Sequence, residues 1–449
     1  MPTSPPATAP ASAPRRLEPA HVVILAGVCA ALHVGKLPPA IPALQQALGI
    51  SLVQAGFLLS MVQLAGMSAG VAFGALADGL TPRRSMLIGL AVQAVASAAG
   101  GFAPAVGVLM VLRAVEGFGF LLVVLAAPAS IRQLIAPERL NLMMGQWSAF
   151  MPVAIVLALL AGPWVLDAAG WRAWWWVLAA VSAAMALWLA RAVPPAMATG
   201  GGAARGAMPA TSATPAAAAP SGAPATPAAP VLSLGTRLAR TLSAPGPWLL
   251  SMSFAVYAAQ WMAVIGFLPT IYAQAGTSLA AAGVLTAAAA VVNIVGNVGA
   301  GRLLHAGVPP VRILRVGFSA LGLGALFAFL AWPGAAPGLP PEPLLPPALR
   351  FVAVLVFSGV GGLVPGTLFA LVVRVAPGEG MVSTTVGWMQ QGSALGQFGG
   401  PPLVAWVAAR AGGGWHLSWL ATGACALAGL ALSTLLARHL ARPPERPAA

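Results

Sequence analysis

The chain has 449 residues, of which 59% are hydrophobic and 7% are charged, and its formal net charge is +14. A soluble domain carries roughly 25% charged residues because its surface faces water, so this composition excludes an ordinary soluble enzyme or binding module. The basic residues stand in ones and twos between apolar runs, which argues against the clustered basic face of a nucleic-acid-binding protein.

Apolar runs of about 20 residues recur along the chain, and a helix of that length crosses about 30 Å of hydrocarbon. The sequence therefore predicts an all-α integral membrane protein with twelve transmembrane helices in a lipid bilayer. The first six are expected near residues 20–46, 52–77, 85–104, 106–132, 142–167 and 172–192. The second six are expected near residues 246–273, 279–304, 312–332, 348–374, 379–409 and 415–438.

The predicted helices form two six-helix bundles, an N-terminal one at 20–192 and a C-terminal one at 246–438. Residues 193–245 between them are rich in Ala, Pro, Gly, Ser and Thr, a composition that cannot bury a core, so we expect a flexible cytoplasmic linker. Residues 1–19 and 439–449 are expected to be a disordered N-terminus and a cytoplasmic tail.

The two halves repeat a local pattern. The stretch from Gly74 to Pro82 is matched by Gly301 to Pro309, and Gly170-Trp171 is echoed by Gly414-Trp415. Pseudo-symmetric halves of this kind are typical of secondary transporters, whose substrate site lies between the halves.

The arginines predict the orientation in the membrane. If both ends of the chain are cytoplasmic and the helices alternate, most arginines fall on the cytoplasmic side and only Arg172, Arg350 and Arg410 fall outside. This imbalance follows the positive-inside rule. Heavy use of alanine and proline suggests a bacterium with GC-rich DNA, so we expect a multi-pass protein of the inner membrane.

Three motifs resemble the major facilitator superfamily. The stretch Gly74-Ala-Leu-Ala-Asp-Gly-Leu-Thr-Pro-Arg-Arg84 resembles the loop signature that follows the family's second helix. Arg113-Ala-Val-Glu-Gly-Phe-Gly119 resembles the Arg-x-x-x-Gly-x-Gly element of its fourth helix, and Gly170-Trp-Arg172 is another frequent feature. The resemblance covers residues from about 20 to 438 and implies the family's twelve-helix fold and transport by alternating access.

The sequence departs from the family pattern in places. Gly79 stands where a basic residue is usual, and Thr81 where glycine is frequent. His305 replaces an acid in the second copy of the loop motif. Pro152 is all that remains of the Gly-Pro element common in drug antiporters, which lowers the expectation of multidrug export.

Four side chains in the hydrocarbon region are candidates for substrate binding or proton coupling. A charge there costs a few kcal/mol unless it is paired or in contact with water. His33 and Lys36 lie three residues apart, on one face of a helix that by resemblance lines the central cavity. They predict either a positively charged binding site for a carboxylate or a Lys36 side chain that extends to the outer membrane–water interface. Arg113 and Glu116, also three apart, predict an ion pair that is either structural or altered when Glu116 exchanges a proton.

The resemblance also implies a cytoplasmic gate at Asp78, Arg83 and Arg84, in which Asp78 pairs with a neighbouring helix and releases it when the halves move. The alternative is that the two arginines only set the topology.

Further polar and aromatic residues are expected to line the cavity or to form interhelical hydrogen bonds. They are Gln146, Trp147, Tyr257, Gln260, Trp261, Asn293, Asn297, Gln390 and Gln391.

The sequence predicts a monomeric, proton-driven secondary transporter of a small organic solute such as a carboxylate. The alternative is efflux of an amphipathic drug, siderophore or metabolite by proton antiport. Cys29 and Cys425 lie in apolar runs, which predicts packed core residues rather than a metal site. The glycines lack a following Gly-Lys-Ser/Thr, so we expect no nucleotide loop, no cofactor and no enzyme activity.

Overall fold

The computed structural model describes residues 17–68, 81–195, 233–332, 341–378 and 381–441. Eight helical segments in these ranges are long and apolar enough to cross a membrane. The predicted all-α membrane architecture is therefore present.

The N-terminal half contains α1 Pro19–Gly35, α2 Leu37–Leu48, α3 Leu52–Ser60, α4 Pro82–Gly100, α5 Val106–Leu134, α6 Pro137–Ser148 and α7 Phe150–Ala192. The C-terminal half contains α8 Leu234–Ser243, α9 Pro245–Gln274, α10 Leu279–His305, α11 Pro310–Phe329, α12 Pro347–Gly361, α13 Leu363–Val375, α14 Val382–Arg410 and α15 Ser418–Leu440. A two-residue ribbon pairs β1 Ala331–Trp332 with β2 Glu342–Pro343 in antiparallel register. The range predicted as a linker, 193–245, ends with α8.

Two helix breaks relate these elements to the predicted crossings. The helices α1 and α2 form one crossing interrupted at Lys36, where Pro38 and Pro39 cannot donate backbone hydrogen bonds. The long α7 makes two crossings, because the chain turns at Gly170 with a φ of 77°. The turn brings Trp174 back against Gly162, so that a Cβ on Gly162 would lie 3.5 Å from the indole.

Packing within each half follows the sequence repeat. In the N-terminal half, α1 packs on α5 and α7, and α4 packs on the same two helices. In the C-terminal half, α9 packs on α14 and α15, and α11 packs on α12 and α15. The two halves meet along a seam formed by α3 on α14, α2 on α9 and α7 on α10.

One face of the molecule, called the basic face below, is where α1 and α4 begin and α7 and α15 end. Arg139 lies there and donates hydrogen bonds of 2.7 and 3.1 Å to the carboxylate of Glu18, which lowers the pKa of Glu18. On the same face, Arg83 donates to the last carbonyls of α7, at Ala190 and Val193, both at 2.7 Å.

The other face, called the opposite face, is where glycines bring the two halves into close contact. Gly56 on α3 lies so near α14 that an added Cβ would be 2.8 Å from the Cα of Pro402. Gly283 on α10 lies as close to α7, with an added Cβ 2.9 Å from Pro163. Because neither glycine leaves room for a side chain, the halves are closed against each other at the opposite face.

Candidate functional site

The four predicted coupling residues lie together in the N-terminal half. His33 is on α1, Lys36 is at the junction of α1 and α2, and Arg113 and Glu116 are on α5. Each is buried, with no more than 1% of its surface exposed. We call these four residues the charge cluster.

The Glu116 carboxylate is the centre of the charge cluster. Its Oε1 accepts a hydrogen bond from the ammonium of Lys36, and its Oε2 lies 2.6 Å from Arg113 Nη1. Arg113 Nη1 also donates to the backbone carbonyl of His33 at 2.6 Å, and Arg113 Nε donates to the carbonyl of Leu58 at 3.3 Å. One carboxylate thus joins Arg113 on its own helix to Lys36, which lies 80 positions from Glu116 along the chain.

Lys36 is enclosed by groups from α4 and α7. Its ammonium donates to Ser97 Oγ at 3.1 Å and lies 4.6 Å from the centre of the Trp175 ring. Ser97 in turn donates to the carbonyl of Trp175 at 2.8 Å, and the Trp174 indole donates to the carbonyl of Lys36 at 3.1 Å. The interpretation that Lys36 reaches the outer interface does not agree with its complete burial.

His33 lies between Lys36, Glu116 and α7. Its Nδ1 lies 3.5 Å from Lys36 Nζ and 3.6 Å from Glu116 Oε1. When the Lys36 ammonium donates to Nδ1, the imidazole is neutral and its proton is on Nε2, which lies 2.8 Å from Ser182 Oγ. Cys29 Sγ lies 3.7 Å from the same hydroxyl.

The charge cluster carries one positive charge in excess. Lys36 and Arg113 contribute two positive charges, Glu116 one negative charge, and the imidazole of His33 none. All the hydrogen-bond partners described above belong to the N-terminal half. The cations consequently face the inside of their own bundle, and an anion in the seam would not touch them in this conformation.

Five polar residues of the C-terminal half form a neutral network. Asn293 donates to Tyr257 OH at 3.0 Å and to the carbonyl of Ser358 at 2.8 Å. Trp261 donates to Ser358 Oγ at 3.1 Å, and Asn297 donates to Asn293 Oδ1 at 3.2 Å. Four of the five were predicted cavity residues, and their bonds to Ser358, which was not predicted, tie α9 and α10 to α12.

The remaining predicted cavity residues are spread over the molecule. Gln260 is buried, donates to a carbonyl of its own helix at 3.1 Å, and lines a cavity of about 10 Å³ between α9, α14 and α15. Trp147 is buried and its ring stacks on Phe150 at 4.3 Å. Gln146 and Gln390 are exposed.

Amides also hold the seam. Gln63 Nε2 donates to Gln397 Oε1 at 3.0 Å, and Gln391 Nε2 donates to the carbonyl of Met67 at 2.9 Å. Both bonds join α14 to the segment that continues α3. Gln391 is thus the predicted cavity residue that contacts the other half directly.

The predicted gate is described only in part. Asp78 lies outside the described residues. Arg83 is engaged with the end of α7, and Arg84 is exposed. The gate stays a prediction.

Sequence reasoning did not single out Ser97, Ser182, Trp175 or Gln63. All four are polar or amphipathic residues within predicted membrane helices, which is the signal that selected Gln146 and Trp147. That signal cannot separate them from the many other serines and tryptophans of the chain, because their importance comes from which helix they face.

Comparisons with known proteins agree with this architecture. The family model described as Major Facilitator Superfamily matches residues 23–379. The Tetracenomycin C resistance and export protein of Streptomyces glaucescens is 30% identical over 132 residues, which are 29% of this chain and 24% of that protein. An uncharacterised transporter of the same type from Mycobacterium tuberculosis is 32% identical over 99 residues, 22% of this chain and 17% of that protein. The matches therefore span a quarter or less of these relatives.

Solved structures match over nearly the whole chain. A bacterial homologue of the human lysosomal transporter Spinster, crystallised in an inward-facing and unoccupied conformation, has a TM-score of 0.70 at 16% identity, covering 96% of this chain and all of that one. A D-xylose–proton symporter has a TM-score of 0.63 at 14% identity, covering 93% and 96%. At these identities the likeness shows the shared fold.

Proposed function

The chain belongs to the Major Facilitator Superfamily, and from that premise we propose that it moves a small organic solute across a bacterial inner membrane by alternating access, driven by protons. It is a transporter of this family and not an enzyme. The observation that carries the proton drive is the charge cluster, a set of charged and titratable side chains that are at most 1% exposed inside the N-terminal bundle.

The cost of the charge cluster supports a role in coupling. Each charged side chain in a membrane interior costs a few kcal/mol or more unless it is paired, and such residues mark ion and proton pathways. Replacing a buried ion pair by apolar side chains is often neutral or stabilising, so the cluster is not needed for stability alone. The position of the charge cluster also supports a role in coupling, because Lys36 lies where α1 meets α2, and α2 packs on α9 of the other half.

Alternating access is supported by how the halves meet. Small residues allow them to close at the opposite face, while the amide contacts of the seam are few and exchangeable. We propose that the basic face is cytoplasmic, as the positive-inside rule suggests, and that the structure is therefore closed to the outside. Since both halves of the pathway lie in one chain, we propose that it acts as a monomer.

For the solute, the geometry favours an amphipathic molecule exported by proton antiport. Lys36 and Arg113 already share Glu116 inside the N-terminal bundle, whereas the seam offers the amides of Gln63 and Gln397 beside apolar side chains. The similarity to the Tetracenomycin C resistance and export protein, a relative named for export, supports the same choice. Uptake of a carboxylate is the second candidate, favoured by the excess positive charge of the cluster.

Purified protein in liposomes tests both candidates. A pH-sensitive dye inside the vesicles records proton movement when a panel of amphipathic organic molecules or of small carboxylates is added outside. We expect proton movement with at least one amphipathic molecule and none in protein-free vesicles. Movement with carboxylates alone would favour the second candidate, and solute movement without any proton movement would refute proton coupling.

A further inference from the structure

Lys36 is the only lysine in the 449-residue chain, and every other long basic side chain is an arginine. A guanidinium stays protonated at any pH that a cell reaches, whereas an ammonium can give up its proton when it is buried. Among these basic side chains, the one that can become neutral is thus the one in the charge cluster, where none of its surface is exposed.

The charge balance of the cluster separates the three candidate proton carriers. With Lys36, Arg113 and Glu116 ionised, the cluster has one positive charge in excess. Adding a proton to Glu116 or to His33 would raise the excess to two among side chains that are at most 1% exposed, which is strongly unfavourable. Removing a proton from Lys36 leaves Arg113 and Glu116 as a neutral pair.

The contacts of Lys36 suit both of its protonation states. As an ammonium it has an acceptor for each of its three protons, namely Glu116 Oε1, Ser97 Oγ and His33 Nδ1. As an amine it keeps two protons and one lone pair, and the hydroxyl of Ser97 can turn to donate to that lone pair. The charged and titratable groups that face it are His33 on α1 and Arg113 and Glu116 on α5, while α4 and α7 present only the Ser97 hydroxyl and the Trp175 ring.

We propose that Lys36 carries the coupled proton and alternates between ammonium and neutral amine during the transport cycle. This inference rests on the proposed function. The ammonium gives one proton to a water molecule on the side to which the protein is then open, and the nitrogen keeps the electron pair. The amine regains a proton from water after the halves have moved. Arg113 and Glu116 remain ionised throughout and hold α5 to α1.

Loss of the proton alters a mechanical link. The attraction between Lys36 and Glu116 joins the α1–α2 junction to α5, and α2 packs on α9 across the seam. When Lys36 is neutral this attraction falls, so α2 can move against α5 and release its contact with the other half. The proton is thereby linked to the closure at the opposite face.

A single lysine allows a direct measurement on the unmodified chain. Protein grown with lysine labelled with ¹³C at Cε gives one side-chain signal, whose chemical shift reports the charge of the amine. We expect this signal to titrate between roughly pH 5 and 9, the range in which buried lysines become neutral. The exposed position of Arg84 offers a control, because Arg84→Lys adds a second signal that stays at the ammonium position over the same range. A Lys36 signal that also stays at the ammonium position would overturn the proposal.

Variants then connect the titration to transport. We expect Lys36→Arg, which keeps the positive charge, to lose solute-linked proton movement at least about tenfold while the protein stays folded. Proton movement equal to that of the native chain would overturn the role of Lys36 and leave the proposed function standing. Absence of solute-linked proton movement in the native chain would instead refute the proposed function, and the titration would still decide whether Lys36 changes its charge.

Discussion

Replacing Glu116 by glutamine tests whether this carboxylate neutralises the cluster. The amide has nearly the same shape as the carboxylate, but it removes the negative charge that the described residues place next to Lys36 and Arg113. Arg113 is then left charged and buried without a counter-ion, in a site where the three side chains are at most 1% exposed.

The magnitude follows from Arg113, which must stay charged, whereas Lys36 can give up its proton. Removing one partner of a buried ion pair costs about 3–5 kcal/mol, because the other charge stays buried and uncompensated. A domain of 150–250 residues, the size of the N-terminal half, loses about 2–4 °C in melting temperature per kcal/mol. Glu116→Gln should therefore lower the melting temperature by roughly 6–20 °C.

Thermal unfolding can be followed with a thiol-reactive fluorophore, because Cys29 is buried and Cys425 is partly buried, and both become reactive when the helices separate. Glu138→Gln is the matched control, since Glu138 is exposed on α6 and its change should stay within about 0.5 kcal/mol. If Glu116→Gln has the same melting temperature as the native protein and the control, Glu116 does not carry the charge assigned to it.

Three further outcomes are expected. Gly56→Val should reduce solute exchange roughly tenfold or more, because the new side chain blocks closure at the opposite face. Gly107 has open space around it, so Gly107→Val should leave exchange unchanged. Equal exchange by the two variants would contradict the close contact at Gly56. Arg83→Ala should cost about 1.5–3 kcal/mol in thermal unfolding by removing two charge-assisted hydrogen bonds to the end of α7, while Arg84→Ala should cost less than about 0.5. Because the pKa of Glu18 is lowered in the folded protein, its ion pair should stabilise the fold above the usual glutamate value of 4.5 and be lost as the pH falls through the lowered value. Thermal unfolding measured between about pH 6 and 3 should show this loss of stability in the native chain but not in Glu18→Gln. A loss of stability that Glu18→Gln also shows belongs to another group.

The helices and the chemistry of single helices could be predicted from the sequence. Apolar runs of spanning length predicted the crossings, and the spacing of Arg113 and Glu116 predicted their contact, which the structure has at 2.6 Å. Both depend only on the period of a helix, which is a local property of the chain.

The contacts between helices could not be predicted in the same way. Glu116 is bound to Lys36, 80 residues away, because α1 turns one particular face toward α5. Ser97 and Ser182 belong to the site because α4 and α7 close around that face. A lone serine in an apolar helix gives no indication of its neighbour, so these positions required the structure.

The asparagines of the C-terminal half show the same limit of sequence-based prediction. Asn293 and Asn297 were predicted to line a cavity, and they bind each other and Tyr257 within the C-terminal half. A polar group among helices bonds to the nearest available partner, and the sequence does not tell whether that partner is a ligand or a neighbouring helix.

The most direct test of coupling by the charge cluster compares exchange with gradient-driven transport in the same liposomes. Solute exchange without a gradient needs only alternating access, whereas net movement under an imposed pH gradient also needs the cluster. The native chain should perform both, and Glu116→Gln, assayed below its melting temperature, should keep exchange while losing gradient-driven movement at least about tenfold. Equal gradient-driven movement by the native chain and by Glu116→Gln would contradict the account.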